Sequence, residues 1–170
     1  NGKGELSFDL PKQTFPSTLQ VNLHSEVTDS RNQTLTSRAH TTVHPADTYI
    51  GISRVDRLVR VGEDSKLELI AVDSNGEKLT DAVDVKVLIE REYHEAVKVK
   101  HTNGHVRVKN TKKTAKVSES SITIDPNKPT TLPFIPKESG RHVITLSGKD
   151  AKGHAITTAS KLWIYGSNDY

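Results

Sequence analysis

The sequence contains no cysteine and no methionine. Without a thiol, this stretch holds no disulfide, no cysteine-ligated metal and no cysteine nucleophile. Aromatic residues make up 5% of the 170 and apolar residues 33%, against roughly 45–50% apolar in an ordinary globular chain. The core must then be thin, of the Val, Ile and Leu kind used by small two-sheet domains. No apolar run approaches the roughly 18 residues of a membrane-spanning helix, so direct membrane insertion is not expected. No signal-peptide pattern opens the chain; Asn1-Gly2-Lys3-Gly4 reads as turn sequence, the start expected of a piece cut from something longer. An excess of one charge is lacking too. The 24 basic and 21 acidic residues are interspersed and leave a net charge of +3, which gives no reason to expect a nucleic-acid partner.

What the chain does have is period-2 alternation, with no sustained helical period. Short strands are expected at Leu6–Leu10, Leu19–Val27 and Thr34–His44, with Pro45 breaking the pattern. Tyr49–Ser53, Leu58–Val61 and Lys66–Asp73 follow, the last ending in Ser74-Asn75-Gly76, a turn whose residues accept positive φ. Val83, Val85, Val87 and Ile89 alternate into the next strand, and Glu95–His101 and His105–Lys109 flank a second such turn at Thr102-Asn103-Gly104. Ser121–Ile124, Thr131–Phe134, Arg141–Lys149 and Ala155–Tyr165 complete the set. Strands at this spacing, punctuated by Gly, Asn and Pro, predict an all-β, antiparallel two-sheet β-sandwich.

A weak internal repeat sets the domain boundary. The segment from Asp29 to Ala39 runs in phase with that from Asp150 to Ser160, and continued without a gap it brings Val43 opposite Ile164. The common motif is an Asp, a turn and a Thr/Ser-rich strand. The offset of 121 residues suits one sandwich, about 100 residues in the immunoglobulin case. Residues 1–44 are thus expected to be the C-terminal part of one sandwich, 45–166 a complete second one, and 167–170 a linker to a following domain.

Chemistry-bearing motifs are scarce. Gly-x-Ser-x-Gly, His-Glu-x-x-His, the phosphate loop and the dinucleotide fingerprint do not occur. No cofactor and no catalytic residue is expected. His94, His101 and His105 are the densest histidines of the eight, and they read as solvated imidazoles in the absence of a fourth ligand. Asp81/Asp84 and Glu90/Glu92 read as strand-solubilising charges, since acid–base chemistry needs two carboxylates in unlike environments. Asp29, Asp73 and Asp150 each close a strand before a turn, where Asp bonds its own turn backbone; calcium ligation is the alternative. Asn32-Gln33-Thr34 fits the glycosylation acceptor pattern. The lone tryptophan, Trp163, is expected at a domain end or interface. The one stretch with an unusual balance runs from Ala96 to Ser118. It carries Lys98, Lys100, Arg107, Lys109, Lys112, Lys113 and Lys116 and no acid. It is a candidate contact for an anionic lipid, glycan or acidic partner domain, although it lacks the aromatics of a single-strand nucleic-acid platform.

Several segments together resemble bacterial alpha-macroglobulins, in the run of macroglobulin-like sandwiches before the bait region. They are Val43–Ile52 (VHPADTYIGI), Val61–Ser65 (VGEDS), Ala71–Lys78 (AVDSNGEK), Val87–Tyr93 (VLIEREY) and Lys161–Gly166 (KLWIYG). The resemblance covers most of residues 20–166, in order. It implies a periplasmic or cell-surface parent that traps proteases, cut at a bait region and in some members armed with a Cys-Gln thioester. This stretch has no Cys and no recognisable bait segment, so its implied role is architectural. Its implied partners are neighbouring macroglobulin-like domains of the parent chain, with target proteases met only through the full-length parent. Two other readings compete. One is an immunoglobulin-like stalk or adhesin module binding an anionic surface ligand through the basic hairpin 96–118, and the other is an accessory module of an enzyme.

Overall fold

The computed structural model describes residues 4–7, 9, 17–54, 58–100 and 106–166. Among them are ten strands and no helix. The chain divides into two compact units, Asn1–Pro45 and Ala46–Tyr170.

The first unit is built on one antiparallel hairpin, β1 (Leu19–Thr28) and β2 (Thr34–Val43), in register from Leu19↔Val43 to Thr28↔Thr34. Period 2 sorts it into two faces. Leu19, Val21, Leu23 and Val27 share one with Leu35, Ala39 and Val43, and Asn22, His24 and Glu26 share the other with Thr36, Arg38 and His40. The apolar face is largely bare, with Val27 67% and Leu35 76% exposed. The expected strand Leu6–Leu10 is not found: residues 4–7 and 9 are not in a strand, and Phe8 and Leu10 lie outside the described residues.

The second unit is a sandwich of two sheets. Three antiparallel strands form one, in the order β3 (Thr48–Arg54), β5 (Ser65–Asp73), β8 (Thr130–Phe134). Five form the other, in the order β4 (Leu58–Arg60), β10 (Ala155–Tyr165), β9 (Gly140–Lys149), β6 (Val83–Lys100), β7 (Val106–Ile124). All pairs in the larger sheet are antiparallel except β4 with β10, which run parallel. The chain therefore changes sheets between β3 and β4.

Alternation decides what is buried. On β5, Ser65, Leu67, Leu69 and Ala71 point inward while Lys66, Glu68 and Ile70 are exposed. On the facing sheet Val83, Val85, Val87 and Ile89 of β6 meet Ile144 and Leu146 of β9 and Ile156, Leu162 and Ile164 of β10. The result is one continuous apolar core. Gly148 is part of the reason the large sheet closes tightly, because a Cβ there would stand 2.8 Å from the Asp84 carbonyl oxygen. Among the described residues His142 is the one imidazole in this core, 1% exposed, with its ring centroid 5.8 Å from that of Phe134 and its Nδ1 3.3 Å from the Gly140 carbonyl oxygen. Burial holds its pKa below the ordinary value; the Gly140 carbonyl acts against this and the Arg91 charge adds to it.

β6 and β7 are longer than the sequence pattern suggests. Val83–Ile89 and Glu95–His101 are expected as separate strands, as are His105–Lys109 and Ser121–Ile124, yet β6 runs unbroken from Val83 to Lys100 and β7 from Val106 to Ile124, His101 and His105 lying outside the described residues. The intervening residues, Glu90–His94 and Asn110–Ser120, do not alternate in hydrophobicity because no sheet covers them. β9 accompanies β6 only from Val85 to Glu92. Beyond Glu92 the two strands continue as a two-stranded ribbon, still in register from Tyr93↔Lys113 to Lys100↔Val106. A bulge at Val117, between Ile89↔Ser118 and Glu90↔Lys116, marks where the covered part ends.

Candidate functional site

The three turn aspartates have one geometry. Each accepts backbone N–H bonds through Oδ1 from the residues two and four positions on. These donors are Arg31 and Gln33 for Asp29 (2.8 and 2.9 Å), Asn75 and Glu77 for Asp73 (both 2.8 Å), and Lys152 and His154 for Asp150 (2.9 and 2.8 Å). The residue before the last donor has positive φ: Asn32, Gly76 and Gly153. Their carboxylates thus bond their own turns, as expected of Asp at this position. Asp150 does more. Its side chain is almost fully buried, and Oδ2 accepts from the Asp47 backbone N–H at 3.1 Å and lies 2.8 Å from His154 Nδ1. Burial acts to raise its pKa, but the His154 side chain and backbone and the Asp47 N–H outweigh it and hold the group at about 2. An ion pair from Lys152 to Asp47 at 2.5 Å reinforces the tie. Sequence spacing cannot show that Asp150 reaches Asp47, 103 residues away.

A second cluster crosses the outer face of the large sheet. Glu92, 15% exposed, receives Lys112 Nζ on one oxygen and lies 2.6 Å from Arg141 Nε through the other. The Lys112 hydrogen bond first, then the Arg141 and Lys161 charges, hold its pKa down against desolvation. Glu92 is therefore a charged strut joining β7, β6 and β9. Glu90 shares its face, as expected of residues two apart on a strand. Arg91 points to the other side, donating from Nε to the Ser139 carbonyl at 2.7 Å, pairing with Glu138, and lying 5.5 Å from the Tyr93 ring centroid. None of these contacts has a sequence signal beyond the charges themselves.

The seven basic candidates all fall on the β6–β7 hairpin, but they do not form one patch. Lys112 pairs with Glu92, Lys113 with Glu95 and Lys116 with Glu119. Lys98, Arg107 and Lys109 lie further out and carry no ion pair among the described residues. Lys100 closes the register opposite Val106. The acid-free run in the sequence is thus partly neutralised by acids outside it. Of the densest histidines, His94 is exposed on the ribbon, while His101 and His105, with the turn Thr102-Asn103-Gly104, lie outside the described residues. Among the described residues no group of three or more His, Asp or Glu is arranged to hold a metal ion. Trp163 is 55% exposed on the outer face, opposite Arg141 on one side and Leu58 on the other.

An open groove of about 1020 Å³ runs over the same face at the other end of β6, lined by Asp84, Lys86, Ser121, Thr123 and Ser147 among others. Thr123 donates to Asp84 at 2.5 Å. Among the described residues no histidine, lysine or cysteine other than Lys86 and Lys149 lines it, and its hydroxyls belong to Ser121, Thr123, Ser147, Thr48 and Thr80.

Residues 51–164 match the family described as bacterial macroglobulin domain 6. No curated protein matches the chain at a significant level. Among solved structures, the chain is similar to Salmonella alpha-2-macroglobulin reacted with methylamine, at TM-score 0.58 and 18% identity, over 90% of this chain and 11% of that one. It is similar to the native conformation of E. coli alpha-2-macroglobulin at TM-score 0.56 and 18% identity, over 87% and 10%. E. coli alpha-2-macroglobulin activated by porcine elastase gives TM-score 0.54 and 19% identity, over 90% and 13%. The chain thus spans about a tenth of the length of these structures, and they share its fold. With the family match covering well over half of its residues, the chain belongs to the bacterial macroglobulin domain 6 family.

Proposed function

We propose that this chain is a non-catalytic framework segment of a bacterial alpha-macroglobulin. Residues 45–166 are one complete sandwich, residues 1–44 the closing part of the sandwich before it, and 167–170 a linker onward. The parent is an extracytoplasmic protease trap, at the cell surface or in the periplasm, and this segment holds the trap's wall.

The observation that carries the reading is a coincidence of register. Adding 121 to Leu19↔Val43 gives Gly140↔Ile164, and adding it to Thr28↔Thr34 gives Lys149↔Ala155, both of them observed pairs. The same offset carries Asn32 onto Gly153, both at positive φ. Two hairpins of one design, at a domain-length spacing, support serial sandwiches that end alike. Family membership and the fold shared with an elastase-activated relative support the trapping role of the parent.

The test compares the full-length parent with this chain against a panel of endoproteases. The expected outcome is that the parent blocks cleavage of large substrates, spares small ones, and that this chain alone does neither. A parent that leaves every protease untouched overturns the trapping role; inhibition by this chain alone overturns the framework role.

A further inference from the structure

We propose that the outer edge of β7 over Val106–Asn110 is a docking edge for an acidic, extended polypeptide segment whose side chains alternate carboxylate and β-branched apolar groups. The inference does not depend on protease trapping.

The register of the outer ribbon has a simple rule. Val97 faces Lys109, Lys98 faces Val108, Val99 faces Arg107 and Lys100 faces Val106, so every cross-strand pair joins one valine to one cation. Opposite residues share a face. Val97 and Val99 therefore lie beside Lys109 and Arg107 on one face, while Val108 lies beside Lys98 on the other. The valines are 39–63% exposed. No partner sheet covers them, since β9 leaves β6 at Glu92.

The cations are unsatisfied at the same place. Nearer the sandwich, Lys112, Lys113 and Lys116 are neutralised by Glu92, Glu95 and Glu119. Glu95, the acid of the ribbon, is taken by Lys113, and Lys98, Arg107 and Lys109 carry no ion pair among the described residues. The backbone adds a third unmet need. β7 is the last strand of its sheet, so among the described residues its outer N–H and C=O groups have no neighbouring strand.

Only one ligand chemistry answers all three. A strand added at this edge meets Val106, Arg107, Val108 and Lys109 in turn, and so is best matched by alternating apolar and acidic residues. A sulfated glycan or phosphate polymer would use the cations and leave the valines and the backbone edge idle. A bilayer surface favours cations and apolar groups on opposite faces, whereas each face here carries both. The cations also reject other strands, since edge lysines and arginines repel basic segments and penalise neutral ones.

The experiment titrates the 170-residue chain with a synthetic decapeptide alternating Glu and Val, followed by amide hydrogen exchange. Controls are a Lys–Val decapeptide, a block Glu–Val decapeptide of equal composition, and vesicles containing phosphatidylglycerol. The expected result is binding of the alternating acidic peptide with added protection of amides in 106–110. Arg107→Glu with Lys109→Glu should weaken it by about tenfold or more. Both side chains are exposed, and an unchanged thermal melt of the double variant establishes that it is folded. The proposal is overturned by no binding of the alternating peptide, by equal binding of the block or Lys–Val peptide, or by binding without protection at 106–110. Binding to vesicles alone also overturns it, in favour of a simple anionic contact.

Discussion

Asp150 and Asp73 bond their turns alike but differ in what else they hold, and the difference is measurable. Asp73 is at the surface and serves its own turn, whereas Asp150 also fixes the Asp47 backbone and the His154 ring. Asp150→Ala strands buried donors and should cost about 2–4 kcal/mol, while Asp73→Ala should cost about 1 kcal/mol. Chemical denaturation of the two variants checks this, and equal losses would show that the tie to Asp47 contributes nothing. The same side chains set the response to acid. His142 has its folded pKa below the ordinary 6.5, so the unfolded chain takes up the proton first. Stability is then full above pH 6.5 and falls as pH drops below it toward the folded value. Asp150 runs on a different scale: its contribution is intact above its ordinary 3.8 and is lost only as pH falls through about 2. Between pH 7.5 and 5 the loss should therefore follow His142, and His142→Gln should flatten the dependence of the unfolding midpoint over that window.

Strand β6 shows how one element changes character along its length. Val87 and Val97 are the same residue type on the same face of one strand, yet Val87 is 1% exposed and Val97 40%. Val87→Ala should cost about 2–3 kcal/mol and Val97→Ala less than about 0.5 kcal/mol, read as shifts in denaturation midpoint. The contrast also explains what the sequence could reveal. Where a second sheet covers a strand, as at Val83–Ile89, alternation is plain and the strand is legible. Over Glu90–His94 and Asn110–Ser120 the strands are held by each other, by β9 as far as Glu92 and by Glu–Lys pairs, and the pattern that announces a strand is missing. The Asp turns were legible because local spacing determines them. The Glu92 strut and the Asp150–Asp47 tie were not, because they join residues brought together only by the sheet order. The basic run was visible as composition, but which of its cations are left unpaired depends on register.

At the scale of the molecule, the two hairpins of equal register differ in what surrounds them. β9–β10 is flanked by β6 and β4 and faced by β3, so Ile144, Leu162 and Ile164 are at most 1% exposed. The corresponding Leu23, Thr41 and Val43 of β1–β2 belong to a hairpin whose apolar face is mostly bare. A two-stranded hairpin is marginal without a covering layer. Amides of β1–β2 in the dilute chain should therefore exchange far faster than those 121 positions later, as hydrogen exchange read by mass spectrometry will show; equal protection would mean the first unit has a core of its own. The parallel pairing of β4 with β10 has a mechanical consequence. Force applied between Leu58, where β4 begins, and Tyr165, where β10 ends, drags the two strands past each other. Leu58↔Trp163, Val59↔Ile164 and Arg60↔Tyr165, together with the Val61 N–H to Tyr165 carbonyl bond at 2.9 Å, then bear the load simultaneously in shear. Antiparallel neighbours pulled from one end would give way one rung at a time, like a zip. Stretched between those two points, the β4–β10 pair acts as a stiff link.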